Sequence, residues 1–151
     1  MMLGYWYRPE ATANKYAGQW VLTGDLGYMD DDGYFWFQGR EDDVITSSGY
    51  QIGPGEVEDA ILQHPSVADV AVVGVPDAIR TESIEAFVVL KAGVQPSPEL
   101  EEALRNSVKS RLARYEYPRE FEFLDSLPLK VTGKVLRREL RDREKRKAGL
   151  E

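Results

Sequence analysis

Cysteine is absent from the 151 residues and histidine occurs once, at His64. The first absence excludes disulfides, thiolate zinc sites and a cysteine nucleophile. The second leaves no imidazole cluster for a metal and no multi-histidine relay. No stretch approaches the ~18 apolar residues that span a bilayer, and the opening Met1-Met2-Leu3-Gly4-Tyr5-Trp6 lacks a cationic leader followed by an apolar segment. A cytoplasmic protein with no membrane span is therefore expected. The net charge of −7 argues against a nucleic-acid partner, although the stretch from Lys134 onward is basic.

What is present is patterned. With 42% hydrophobic and 30% charged residues, the chain can bury one moderate core or two small ones. Gly4 to Thr12 reads as a turn into a short helix with no preceding partner segments, as though taken from something larger. Trp20 to Met29 and Tyr34 to Gln38 are β-rich runs around Asp30-Asp31-Asp32-Gly33, whose Asp-Gly step favours a hairpin turn. A charged break, Gly39 to Asp43, leads to a shorter extended pair around Val44-Ile45-Thr46 and Tyr50-Gln51-Ile52.

From Pro54 the period changes. Val57, Ala60 and Ile61 share one helical face, with proline in the first turn and Pro65 just past the end. Val67 to Val75 and Ile84 to Leu90 are two strands separated by a polar loop containing Pro76, Asp77 and Arg80. Ser97 is placed as an N-cap before Pro98, opening a helix with Leu100, Leu104, Val108 and Leu112 as its core stripe, which ends before Pro118. Glu120 to Leu124 supplies a third strand, and a basic helix starts near Val135.

Local chemistry alone decides little. Thr132-Gly133-Lys134 fails as a phosphate-binding loop, because the required earlier glycine position holds Pro128. A lysine at a loop-to-helix junction remains, which by itself reads as an exposed surface residue. The aspartate triplet has Tyr28 and Gly39 where a calcium loop needs acids, so it reads as a hairpin turn. Glu41-Asp42-Asp43 is open between a metal site, a solvated loop and an acid held against Arg40, and composition favours the solvated loop. His64, at a helix end, suits a contact with exposed carbonyls better than catalysis. The final arginines and lysines alternate with Glu139, Asp142 and Glu144 as in a solvated helix.

The order of the segments carries more. Trp20 to Gly27, Asp32 to Arg40 and Ser47 to Glu58 resemble three consecutive signature blocks of AMP-forming acyl-CoA synthetases. Pro65 to Asp77, Tyr115 to Arg119 and Leu127 to Lys134 extend the likeness almost to the end. The segment Tyr115 to Phe123 and the ending from Lys134 to Glu144 look most like the medium-chain enzymes, with acetyl-CoA synthetases close behind.

This resemblance implies an α+β fold. Residues 1–41 would be a β-hairpin remnant of a large ATP-binding domain. Residues 42–151 would form a small mobile C-terminal domain with a short β-hairpin and a three-stranded sheet packed by helices. It implies chemistry in which ATP and a small-molecule carboxylic acid give an acyl-adenylate, after which the domain rotates and coenzyme A attacks, releasing AMP. Asp25 then accepts hydrogen bonds from ribose hydroxyls and Arg40 contacts the nucleotide, while Asp42 is the hinge. Lys134 neutralises charge during adenylation. Ser48, Gly49 and Tyr50 line the pantetheine path, and Arg80, Lys109, Tyr117, Pro118 and Arg119 lie near the coenzyme A nucleotide.

Mg2+, the triphosphate loop and the acyl pocket are expected on the chain's own N-terminal domain, so the fragment alone should be inactive. Gln51, Glu116 and Leu129-Lys130 depart from the family, which commonly has arginine, lysine and a lysine-threonine pair there. Two other readings stay open: a non-catalytic module binding coenzyme A or a partner, and an adenylation domain loading a carrier protein.

Overall fold

A computed structural model describes residues 2–149. The chain divides into two compact units, Met1–Asp42 and Asp43–Glu151.

The first unit holds α1 (Pro9–Ala13), β1 (Tyr16–Ala17), β2 (Trp20–Val21), β3 (Asp25–Met29) and β4 (Phe35–Arg40). The expected strand from Trp20 to Met29 is broken in two. Gly24 sits at φ +80, outside the extended region, so Trp20–Val21 pairs back onto Tyr16–Ala17 while Asp25 starts a new strand. The turn between β3 and β4 is held by Asp30, whose Oδ1 accepts the Asp32 and Tyr34 N–H groups at 3.1 and 2.9 Å and whose Oδ2 accepts the Trp36 indole N–H at 2.6 Å. These donors hold the Asp30 carboxyl below its ordinary range, the Trp36 bond most of all. A triplet that spends its first acid on backbone donors is a turn, as the sequence suggests. Trp20, Phe35 and Phe37 nevertheless lie 70% or more exposed, so this unit has aromatic surface without a core to bury it.

The second unit contains β5 (Ile45–Ser47), β6 (Tyr50–Ile52), α2 (Pro54–Leu62), β7 (Val67–Asp77), β8 (Thr81–Leu90), α3 (Pro98–Lys109), β9 (Glu120–Leu124) and α4 (Arg137–Lys147). Its helices and strands are α+β as expected, but the short hairpin and the three-stranded sheet are one sheet. β8 pairs antiparallel with β7 along ten registered positions, and its other edge takes β9 in parallel and β5 through the single pair Ser47 with Thr81. Pro76 and Asp77, expected in the loop, belong to β7. That strand is an edge, where a missing proline N–H breaks no ladder bond, and the connection shrinks to residues 78–80.

Both faces of the sheet are covered, which explains the uninterrupted apolar run Val70 to Val73. Val70, Val72, Ile84, Ala86 and Val88 pack against Val57, Ala60 and Ile61 of α2 and Leu104 and Val108 of α3. Ala71, Val73 and Phe87 pack on the opposite side against Leu127 and Leu140, the latter from α4. Ser97 caps α3 by accepting the Leu100 N–H at 3.2 Å. His64 uses Nδ1 to accept the Ser66 N–H at 3.3 Å, so it shapes the turn after α2 through a backbone donor rather than the carbonyls anticipated for it.

Glu85 sits among the apolar side chains of β8, with only 5% of its surface exposed. Its carboxyl oxygens lie within 4.8 Å of those of Glu122 and Glu144. Arg143 and Lys147 pair with Glu122 and Glu144, at 2.5 to 3.3 Å. Burial, and next the nearby Glu144 carboxylate, push Glu85 up to about 7.

An acid whose folded pKa is raised binds its proton more tightly when folded. Its stabilising form is therefore complete below the unfolded value of about 4.5 and is lost as pH rises through 7. Glu85→Gln is expected to raise stability at pH 8 by roughly 2 kcal/mol, allowing for solvent screening, and to flatten the dependence between pH 5 and 7.5. Thermal unfolding of both proteins across that range checks this; parallel curves would refute it.

Candidate functional site

In the first unit, β3 and β4 align Asp25 opposite Arg40. The Arg40 Nη1 donates to Asp25 Oδ1 at 2.8 Å and to the Thr23 carbonyl at 3.3 Å. Gly24 lets the guanidinium approach, since a Cβ there would stand 3.1 Å from Arg40 Nη2. The two residues expected to hold a nucleotide are thus side by side and nearly half exposed, with the second Asp25 oxygen available for another donor.

In the second unit, residues distant in sequence converge on a cleft of about 30 Å³ lined by Ser47, Ser48, Arg80, Ile84, Tyr115, Tyr117 and Arg119. Each arrives for a structural reason. The β5–β6 turn brings in Ser48 and Gly49, both with left-handed φ (52 and 84), which Gly49 adopts freely. The Ser48 N–H donates to the Arg80 carbonyl at 2.9 Å. Asp77 shapes the loop carrying Arg80 by accepting the Ile79 and Arg80 N–H groups, both at 2.8 Å, and these donors lower its pKa. Its Oδ2 also meets the Arg80 guanidinium at 3.4 Å.

The arm between α3 and β9 closes the other side. The Arg119 N–H donates to the Ile84 carbonyl at 2.9 Å, and Pro118 is fully buried, so the proline anchors the arm instead of facing a ligand. Lys109 and Arg119 place their charges 4.6 and 4.2 Å from the Tyr117 ring centre, and Arg119 also donates to the Tyr117 hydroxyl. Tyr50 stacks on Tyr115 at 4.0 Å with rings 7° from parallel. Ser48, Arg80, Tyr117 and Arg119 therefore border one cleft, with Tyr50 and Lys109 attached through aromatic partners. Sequence reading treated Tyr115 only as part of a motif, because its significance lies in a contact 65 positions away in the chain.

Lys134 occupies a separate turn. The Lys130 N–H donates to the Lys134 carbonyl at 2.8 Å, Leu129 and Val135 form a bridge, and Gly133 turns the chain at φ +79. The side chain is exposed, and among the described residues no acid pairs with it. Asp42 lies at the end of the first unit.

Basic and acidic chemistry are thus separable. Lys109 and Arg119 hold their cationic groups against the Tyr117 ring, and among the described residues neither forms a close ion pair, although Glu102 feels the Lys109 charge from farther off; both groups suit an anionic ligand. Glu85, Glu122 and Glu144 are a poor cation site because Arg143 and Lys147 already neutralise two of the three. No helix among the described residues is long and apolar enough to cross a membrane.

The chain is similar to several known proteins. The rat mitochondrial acyl-coenzyme A synthetase ACSM3 is 51% identical over 138 residues, covering 90% of this chain and 24% of that protein. The 4-hydroxybutyrate–CoA ligase 1 of Metallosphaera sedula is 54% identical over 132 residues, covering 86% and 23%. The chain spans about a quarter of the length of these relatives. The crystal structure of the anthranilate CoA ligase AuaEII in complex with anthranoyl-AMP superposes with a TM-score of 0.89 at 38% identity, covering 98% of this chain and 29% of that one. Residues 56–134, more than half of the chain, match the family described as AMP-binding enzyme C-terminal domain, and the chain belongs to that family.

Proposed function

We propose that the chain is the C-terminal part of an AMP-forming acyl-CoA synthetase, with Met1 to Glu41 as the end of its large ATP-binding domain and the rest as its mobile domain. The observation that carries this is the convergence of Ser48, Arg80 and the Tyr117–Arg119 segment, from three separate stretches of sequence, on one cleft, with the Lys109 ammonium over the Tyr117 ring beside it. Exposed aromatics on the β3–β4 hairpin support the first assignment, since upstream structure would cover them.

In the first half-reaction a carboxylate oxygen attacks the α-phosphorus of ATP and pyrophosphate leaves. Asp25 accepts hydrogen bonds from the ribose, Arg40 steadies Asp25 and the nucleotide, and the Lys134 ammonium stabilises charge on the reacting phosphate. Having no acid partner, it brings its full charge to that task. Mg2+ would assist the triphosphate from the upstream domain, because the carboxylate cluster described above does not suit it. Torsional change at Asp42 then exchanges the Lys134 turn for the Ser48 turn. The coenzyme A thiolate attacks the acyl carbonyl and AMP departs. Arg80, Lys109 and Arg119 meet the phosphates of coenzyme A, while Gly49 permits close passage of its pantetheine arm beside Tyr50.

The full-length protein should exchange pyrophosphate in the presence of a carboxylic acid, and silence with every acid tried would sink the proposal. Lys134→Ala is expected to slow adenylation by ~10² to 10³ while sparing transfer from supplied acyl-adenylate. An equal loss in both steps would remove Lys134 from its assigned role. Arg119→Ala should raise KM for coenzyme A about tenfold, the loss of one charge-assisted phosphate contact, and leave adenylation alone. An unchanged KM would place the cofactor elsewhere.

A further inference from the structure

The turn bearing Lys134 runs directly into α4, whose first residue is Arg137. A cation at the start of a helix faces the positive end of the helix dipole, so helix stability does not account for it. Its guanidinium instead forks onto Glu58, with Nη2 2.7 Å from both carboxylate oxygens and Nε 3.3 Å from Oε1. On its other side Nη1 lies 3.6 Å from Asp43 Oδ2. One helical turn later, Arg141 Nη1 donates to Asp43 Oδ1 at 3.2 Å. Glu58 Oε1 also accepts the Val72 N–H at 2.8 Å, which ties the network to β7. The four side chains are only 13 to 24% exposed, so each charge relies on its partners rather than on water.

We propose that Arg137 is a positioning residue: with Asp43 and Glu58 it clamps the Lys134 turn to the first residue beyond the pivot. The proposal rests on the function given above, in which Asp42 supplies the rotation. Asp43 follows that pivot directly, and Arg137 stands three residues from Lys134. Rotation at Asp42 reaches the lysine through this clamp as a rigid displacement. Leu140 and the pairs made by Arg143 and Lys147 with Glu122 hold the rest of α4, while the Glu58 fork and the Asp43 contact fix the angle of its first residue. Misplacement of a charge-stabilising group by ~1 Å costs about a hundredfold in rate. A bidentate fork sets position and angle together, which an ammonium at the same site would not.

The experiment uses the full-length protein carrying Arg137→Gln, Arg137→Lys, Asp43→Asn or the pair Asp43→Asn/Arg137→Gln. Acid-dependent pyrophosphate exchange, transfer from supplied acyl-adenylate and thermal midpoint are measured for each. Arg137→Gln should lower adenylation kcat tenfold or more, with KM for ATP and acid within twofold and transfer within threefold of the unmodified protein. Arg137→Lys should fall between the two, and the double variant should be little worse than Arg137→Gln alone. Unchanged adenylation in folded Arg137→Gln, or an equal fall in both steps, would overturn the proposal. Should Arg137→Gln not fold, Asp43→Asn decides, since it leaves the Glu58 fork intact: reduced exchange supports the clamp and unchanged exchange refutes it. Absence of exchange in the unmodified protein would defeat the functional reading itself. The clamp is then judged by hydrogen exchange at the Lys130 and Gly133 amides, where faster exchange in Asp43→Asn supports it and identical protection overturns it.

Discussion

The ladder between β7 and β8 is the constraint on which the second unit is built. Ten registered pairs from Val67 with Leu90 to Asp77 with Thr81 fix the short loop in which Arg80 sits. The start of β8 receives β5 at Thr81, which brings Ser48 within hydrogen-bonding reach of the Arg80 carbonyl. A little further along, the Ile84 carbonyl captures the Arg119 N–H just before β9 joins in parallel. One strand thus organises three sides of the cleft through backbone bonds alone. The side chains facing it can vary without moving the scaffold, whereas a slip of β8 by one residue would reverse both of its faces.

Elements with a local signature were legible in the sequence. Ser97 before Pro98, the spacing from Leu100 to Leu112, and Pro54 before Val57 each carry their physical reason within a few residues. Gly24 misled, because its positive φ is required only by the return of β2 onto β1, a pairing that hydrophobic pattern does not encode. Pro76 misled for the opposite reason: proline argues for a loop until the strand is known to be an edge. Within the site, the ordered motifs supplied the names of Ser48, Arg80, Tyr117 and Arg119. Their meeting at one cleft, the burial of Pro118 and the stack of Tyr50 on Tyr115 are tertiary facts with no local signal.

The separation of charge along the chain also finds its cause in packing. The basic end of an otherwise acidic sequence looked like a solvated helix, and Arg138 fits that description. Arg137, Arg141, Arg143 and Lys147 do not, since they reach acids on β8's neighbours, α2 and the segment before β5. Asp43 and Glu58 stand 79 or more positions from the arginines they bind, so intrahelical spacing could reveal none of this. α4 is held to the sheet by few apolar contacts, chiefly Leu140, and its ion pairs supply the orientation that a broader apolar stripe would otherwise give.

The departures from the family pattern take on different weights against this geometry. Glu116, where a lysine is usual, turns its carboxylate to the Ala113 N–H at 2.8 Å, so the exchanged charge is absorbed into the local turn that precedes Tyr117. A cation at that position would leave the amide donor without this partner, while Lys109 and Arg119 keep their charges over the Tyr117 ring. Gln51 is exposed on β6 and pairs through its backbone with Thr46, which leaves its side chain free to face a ligand with neutral donors in place of a charged fork. Leu129 is engaged by its backbone with Val135, so the shape of the Lys134 turn does not depend on which side chain precedes Lys130. Of the three, Gln51 is the exposed strand residue that puts a neutral amide where the family commonly has a guanidinium.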